Sequence, residues 1–594
     1  MTFADYRRPL IAAGALVAGV AALQLWRLTA AEQLWGTLPL FFLGGAWLAI
    51  VAWRQAPERA GCLGWATVAG GALGISLAPY GAVWAPIVGF AALLHLVDRL
   101  HAAGASKRQA LWYAYHAMVV FNVGATWWVA NTALAAGLVA NFLNAFFQAV
   151  VVLLVYRARV RLPRHWLASA VALWIGFEFL HFDWEIAWPW LCLGHTFAAA
   201  PALAQWFSWT GVFGGSLYVT AAGACGYVLL RWPSALAHTD ESAQSRAAPR
   251  ALAQAAAFAF ALPLLGSLVY FLTAEQASGP RVRVAAVQPN YEPHYRKFAV
   301  RREEQLRQFD RLTAEALAAG AELVIYPETS FGGVDEERVE SEAFYGMWRA
   351  QQAAYPRADL LTGLSSYRRL PGPTDDPALR TQRRPGGGAA YYIAHNSALA
   401  IEGETRAGLY YKSKLVPGVE FLPYRRLLFF FEPLVASLGG TTAGLGRSDS
   451  VAVFRYGSGV GAAPLICYES LYGDYVRAFV RRGANLLVVP TNDGWWDDSP
   501  GYRQHFNLAR LRAIETRRWV VQAANSGTSG FVDERGRAFA KSDYDEAAVT
   551  LHDVRLLGGE TPYVRFGDVL GYGAAAGALL TLGALVVVRI RGRG

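Results

Sequence analysis

Charge is scarce in this sequence. Asp, Glu, Lys and Arg make up only 16% of its 594 residues, against 54% hydrophobic, and the mean hydropathy is +0.23. So few charges exclude a chain that is soluble along its whole length. Cysteine is scarcer: Cys62, Cys192, Cys225 and Cys467 are all there are, which excludes a disulfide-stapled scaffold. Internal repeats are missing, so a solenoid is excluded. No Gly-rich phosphate loop stands out, and His294, His395 and His505 are not at ligand spacing. Neither ATP, a metal nor any other cofactor is therefore expected.

The apolar residues are unevenly spread. Up to about residue 275 they come in long runs, roughly 9–26, 35–53, 61–78, 82–97, 110–131, 134–156, 165–180, 212–230 and 251–273, with one more at 569–588, each near the length of a bilayer crossing. The stretch between reads as a soluble enzyme. This gives four parts: an extra N-terminal transmembrane pair (1–60), a polytopic transmembrane domain (61–279), a soluble domain (280–560), and a terminal transmembrane helix with a basic tail (561–594). With the N-terminus inside, the inner connections and tail carry seventeen Lys and Arg residues, from Arg7 through Arg59 to Arg593, and the outer ones Arg27 alone. That asymmetry puts both termini in the cytoplasm and the soluble domain outside. Much of the net charge of +10 is thus topological, and nucleic acid is not an expected partner. Arg7 and Arg8 before an apolar run imitate a signal peptide; since further spans follow at once, the segment is expected to stay uncleaved.

Between the spans, residues 231–250 read as a mobile cytoplasmic loop. The Trp-rich stretch 181–211, which holds no Lys or Arg, reads as an interfacial aromatic belt, or as a floor that touches lipid. From residue 280 the pattern turns α/β. Strands are expected at 282–287, 322–326, 359–364, 390–402, 451–455, 463–467, 485–490, 519–524 and 548–553, and helices at 301–319, 470–482 and 502–517. Short apolar strands alternating with helices predict a layered domain around a buried sheet.

Cys467 is the one thiol of that domain and has no disulfide partner there. It ends the apolar run APLIC ahead of an expected helix, where a helix dipole and cations favour a thiolate nucleophile. A buried core cysteine would read the same. Glu328, in VIYPETS, leaves an apolar strand into a proline turn and suits a general base with a raised pKa; a capping or ion-paired glutamate is the plainer alternative. Lys412, in YYKSKLVPGVEFLP, suits a cation for a developing oxyanion; a solvated loop lysine is its alternative.

Together, PET, YxKxxL and CYES resemble the nitrilase superfamily, whose Glu-Lys-Cys set performs thiol acyl transfer. Joined to a multi-span membrane part, the chain is similar to the apolipoprotein N-acyltransferases. LVPGVEFLP places Glu420 on that family's second glutamate. Cys467, Tyr468 and Glu469 fall on its CYE motif, and Asn492, Asp493 and Trp495 on its Asn-Asp-aromatic segment. Gln504, His505 and the following ARLRAIE resemble its next helix, SLAPYGAVWAP an early turn, and ALWIGFEFL with WPWL its lipid-facing arm. Departures are the first 60 residues, Gly418-Val419 in place of Phe-Gly, and Phe298 at a tryptophan position.

The resemblance implies an α-β-β-α sandwich outside the bacterial inner membrane. It also implies a phospholipid acyl donor, a Cys467 thioester, and an acceptor amine on the diacylglyceryl-cysteine of an apolipoprotein, in a monomeric enzyme. Glu328 would be the base, Lys412 the oxyanion cation, Cys467 the nucleophile, and Glu420, Tyr468, Glu469, Asn492 and Trp495 supporting residues. A tethered amidase using water, or a transporter with an inactive domain, is the rival.

Overall fold

The computed structural model describes the chain except residues 1–2, 56–59, 78–79, 237–242, 276, 298, 377, 384–388, 432–443 and 592–594. Phe298, Arg59, Arg593 and two residues of SLAPYGAVWAP therefore lie outside the described residues. The chain divides into two compact units, Met1–Ala274 with Asp568–Gly594, and Glu275–Gly567.

The first unit is helical. Among the described residues, six helices are long and apolar enough to cross a membrane: Tyr6–Ala30, Ala85–Ala102, Leu134–Arg161, Phe207–Arg231, Ala256–Thr273 and Val569–Arg591. Leu38–Arg54 and Trp166–His181 are shorter apolar helices, and Ala60–Gly74 and Lys107–Thr126 occupy the other two expected positions. The chain is a multi-pass membrane protein. Some of its buried polar groups pair with one another across helices: Asn122 Nδ2 donates to Gln148 Oε1 at 2.7 Å, and Asn144 Nδ2 to Asn122 Oδ1 at 2.7 Å.

One expectation needs correction in part. Of the expected loop 231–250, residues 237–242 lie outside the described residues; on either side the alanine-rich sequence is helical, one helix running to Leu236 and the next starting at Ala243. The aromatic stretch 181–211 has local structure of its own. It folds into short 3-10 turns at Pro189–Leu191, Leu193–Ala199 and Pro201–Leu203, with Trp190 and Phe197 fully buried. Glu178 ties this arm to its helix by accepting from Leu193 N at 2.8 Å and Trp174 Nε1 at 2.9 Å.

The second unit is a four-layer sandwich. Its first sheet contains β1 (Arg281–Gln288), β2 (Leu323–Ile325), β3 (Phe331–Asp335), β4 (Asp359–Leu370), β5 (Leu379–Arg383), β6 (Ala389–Glu402) and β7 (Thr405–Tyr411), joined at β1 by β14 (Ala548–Arg555). The second contains β8 (Phe454–Arg455), β9 (Gly461–Pro464), β10 (Leu486–Thr491), β11 (Trp519–Ala524), β12 (Gly530–Val532) and β13 (Ala538–Phe539). The centre of each is parallel: β1, β2 and β4 in one, and β9, β10 and β11 in the other.

Alternation along the strands builds the layers. Val282, Val284 and Ala286 of β1 join Leu323 and Ile325 of β2 in a core shared with Ala462, Leu487 and Val489 of the other sheet. Ala285, Val287 and Val324 face the opposite way, onto helices Arg302–Ala318 and Ala343–Ala354. Helices Gly473–Arg481 and Pro500–Thr516 cover the second sheet through Val476, Phe479, Phe506 and Ala509. Both sheets therefore bury two faces, and strand ends are where polar side chains can gather.

Candidate active site

Each sheet delivers one half of a polar cluster. From the first, the chain leaves β2 through Tyr326 and Pro327 into Glu328, and the next residue, Thr329, takes a left-handed φ of 49°. Gly363 of β4 lies against this turn so closely that a Cβ there would stand 2.4 Å from Pro327 O and 2.7 Å from Glu328 Cα. Lys412 follows β7, and its N–H donates to Asn396 O of β6 at 2.8 Å. Glu420 lies eight residues on, its Oε2 accepting from Val416 N at 2.7 Å.

These side chains converge. Lys412 Nζ donates to Glu328 Oε1 at 3.1 Å and to Glu420 Oε1 at 3.0 Å. Asn396 Nδ2 donates to the same two oxygens, at 2.7 and 3.0 Å. A buried carboxylate, Glu328, and a partly buried one, Glu420, are held together by one ammonium and one amide. Burial alone would raise the Glu328 pKa, but the Lys412 charge, the bonds from Asn396 and Lys412, and the Lys297 charge outweigh it. The expected base is therefore held ionised, below its ordinary range, where the sequence suggested a raised value. Burial likewise opposes the Lys412 charge, and Glu328 and Glu420 more than restore it, so the ammonium persists.

From the second sheet comes Cys467, and here the sequence expectation fails in detail. The strand stops at Pro464, and Cys467 opens a five-residue 3-10 turn, Cys467–Leu471; the α-helix starts only at Gly473. Cys467 itself has φ 50°, a left-handed conformation that costs a non-glycine residue about 1–3 kcal/mol. This elbow, not a strand end feeding a helix, presents the sulfur. No helix dipole favours the thiolate. Burial and the Glu328 carboxylate push the thiol pKa well up, with Lys412 opposing. The resting pair is therefore a protonated thiol and an ionised carboxylate.

Glu469 joins the halves. Its Oε1 accepts from Tyr410 OH at 2.6 Å and Ser413 N at 2.7 Å, and its Oε2 from Ile466 N at 2.8 Å. Burial nevertheless lifts its pKa to about 7. Tyr468 is buried beside Tyr472, the ring centroids 5.4 Å apart. Asn492 accepts from Asn525 Nδ2 at 3.0 Å, and Trp495 packs on His294 at 5.0 Å; neither contact leads to Cys467.

Sequence reasoning assigned no role to Asn396, although an asparagine inside the apolar strand YYIAHNSALAIE is itself a signal. It also left His505 and Asp493 as motif residues. His505 Nδ1 lies 2.9 Å from Asp493 Oδ1, and Nε2 lies 3.0 Å from Ser470 Oγ and 3.2 Å from Cys467 O. Burial opposes the imidazolium, but Asp493 and the Cys467 carbonyl raise the His505 pKa. The ligand atoms of Cys467, Asp493 and His505 lie within 4.8 Å of one another. Both ring nitrogens are already engaged, so the set fits a support for the nucleophile turn better than a metal centre.

Comparison with known proteins follows this division. Residues 283–560 match the carbon-nitrogen hydrolase family, and residues 69–225 match the apolipoprotein N-acyltransferase N-terminal domain. The apolipoprotein N-acyltransferase of Chlorobaculum tepidum is 30% identical over 463 residues, 77% of this chain and 84% of that protein. That of Gloeobacter violaceus is 29% identical over 560 residues, 89% of this chain and 95% of that protein. Among solved structures, a Nesterenkonia amidase of the nitrilase superfamily matches with TM-score 0.32 and 18% identity, covering 50% of this chain and 95% of that one.

Proposed function

The chain belongs to the apolipoprotein N-acyltransferase family, and from that premise we propose that it moves a fatty acyl chain from a membrane phospholipid, through Cys467, to an apolipoprotein N-terminus. It is an acyltransferase whose acceptor is an apolipoprotein. The observation that carries the route is the Lys412 bridge between Glu328 and Glu420, with Cys467 under the charge of both Glu328 and Lys412.

In the first half, Glu328 takes the thiol proton and Sγ attacks the donor ester carbonyl. Lys412 has one N–H beyond the two it gives to the glutamates, and with backbone N–H groups at the elbow it stabilises the oxyanion. Lysophospholipid leaves, taking the proton from Glu328, and a thioester remains. In the second half, the α-amine of diacylglyceryl-cysteine attacks that thioester and Glu328 receives its proton. Glu420 fixes Lys412, while Tyr468 and Glu469 shape the elbow; the contacts of Asn492 with Asn525 and of Trp495 with His294 give those two no part in this route.

Both substrates keep their tails in lipid, and drawing one out would cost about 0.8 kcal/mol per CH₂. A membrane-anchored enzyme avoids that cost. The reading extends to an inner-membrane monomer with residues 1–60 as an added pair of spans; the basic asymmetry supports a catalytic domain on the outer side and both termini in the cytoplasm.

Intact-mass spectrometry of fresh protein tests the route. A fatty-acyl adduct on Cys467, discharged by a diacylated lipopeptide to give a triacylated product, is the expected result. Donor hydrolysis without transfer would replace this reading with the amidase one.

A further inference from the structure

Asn396 carries an unused group. Its Nδ2 faces two carboxylate oxygens, Glu328 Oε1 and Glu420 Oε1. Only the NH₂ end of an amide can do that, so the orientation of the side chain is fixed by its partners. The carbonyl oxygen, Oδ1, is then left buried with no hydrogen-bond partner among the described residues, on a residue only 4% exposed. It shares a carbon with Nδ2 and so stands beside the base itself. A buried acceptor without a donor is unfavourable by about 1–3 kcal/mol, and such groups persist where a ligand supplies the missing partner.

We infer that Asn396 Oδ1 accepts an N–H of the acceptor's α-amine in the second half-reaction. This rests on the acyl-transfer route above. In the first half the ester brings no N–H, and the thiol proton goes to Glu328. A primary amine offers two N–H bonds and one lone pair. With one N–H on Glu328 and the other on Asn396 Oδ1, the lone pair is aimed at the thioester carbonyl. The C–N bond forms, the C–S bond breaks, and the proton lost from nitrogen passes through Glu328 to Sγ. Water can make the same two contacts but carries no lipid anchor to hold it there. Asn396 thereby becomes the residue that selects and orients a primary amine.

The test separates the two half-reactions in the full-length enzyme. Protein preloaded from phospholipid is discharged either with a diacylated lipopeptide or with hydroxylamine, which is small enough to attack without being oriented. In Asn396→Ala and Asn396→Thr, the ratio of lipopeptide to hydroxylamine discharge is expected to fall about tenfold or more, with a raised KM for the lipopeptide. A structural role would slow loading and both discharges together; an unchanged ratio in a loaded variant overturns the assignment.

Should neither variant load, the native enzyme decides. A lipopeptide with an N-methylated α-amine has one N–H fewer and is expected to react about tenfold more slowly or worse. Equal rates overturn the assignment. Absence of any thioacyl adduct in the native enzyme would instead end the acyl-transfer reading itself.

Discussion

The two sheets treat their reactive groups in opposite ways. On the first, Glu328, Glu420, Lys412 and Asn396 share their hydrogen bonds so that charge survives burial. On the second, Cys467 stands in a strained elbow where burial and Glu328 keep its proton on. One side stores a base and the other stores an acid, and neither state suits its group alone. The difference teaches that the pair is poised by mutual perturbation. On the proposed route, Glu328 takes the Cys467 proton and Lys412 stabilises the charge that follows.

Removing the acid side altogether breaks the comparison most severely. Cys467→Ala is expected to lower transfer by about 10⁴-fold or more, with no acyl adduct by intact mass. Removing the cation from the basic side comes next. Lys412→Met leaves Glu328 and Glu420 facing each other in a buried site, so at least one must take up a proton. Turnover is expected to fall about 10²–10³-fold, and stability by about 3–5 kcal/mol. The sign is testable. In the native protein the Glu328 carboxyl is held low, so its contribution to stability is present above the unfolded pKa and is lost as pH falls through the folded one. In the variant that dependence should disappear or invert, as pH-dependent unfolding would show. A smaller effect is expected from Gly363→Ala, whose Cβ would press on Pro327 and Glu328. Displacing the base by a fraction of an ångström should cost about tenfold to 10²-fold in kcat while the far-UV circular dichroism stays native.

How much of this contrast was legible in the sequence depends on the kind of signal. Apolar runs such as VRVAAV and ELVIY announced the central strands, and β1 and β2 stand within a residue or two of where they were expected. Strands β5 and β7 were missed because LRTQR and TRAGLYY are polar, as strands flanking β6 can be. The helix Ala343–Ala354 was missed because it follows a charged stretch and contains Gly346. Glu328, Lys412 and Glu420 were found through their local contexts, and their convergence follows from β2 and β7 both ending at the same cluster. The elbow could not be read, because a positive φ at a cysteine is imposed by tertiary contacts. Asn396 was in plain view, yet a run of apolar neighbours concealed that it faces two carboxylates.

The smallest effect concerns the residue that ties the halves together. Glu469 accepts only from donors: Tyr410 and Ser413 on the lysine side and Ile466 on the cysteine side. Replacing it with Gln keeps the shape but turns an NH₂ group toward one of those donors, with an expected loss of about 1–3 kcal/mol and a modest fall in kcat. The pH dependence sharpens the point. Burial lifts this carboxyl from 4.5 to about 7 in the folded protein, so the unfolded chain releases its proton first as pH rises. Its contribution to stability is therefore fully present below the unfolded value and is lost as pH climbs towards 7. Denaturant midpoints measured between those limits should decline in the native protein, beyond the gain contributed by Glu328 at lower pH, and should do so less in Glu469→Gln. Parallel curves for the two proteins would mean that the donors win and the carboxylate is ionised throughout, which would make the link between the halves a permanent anion.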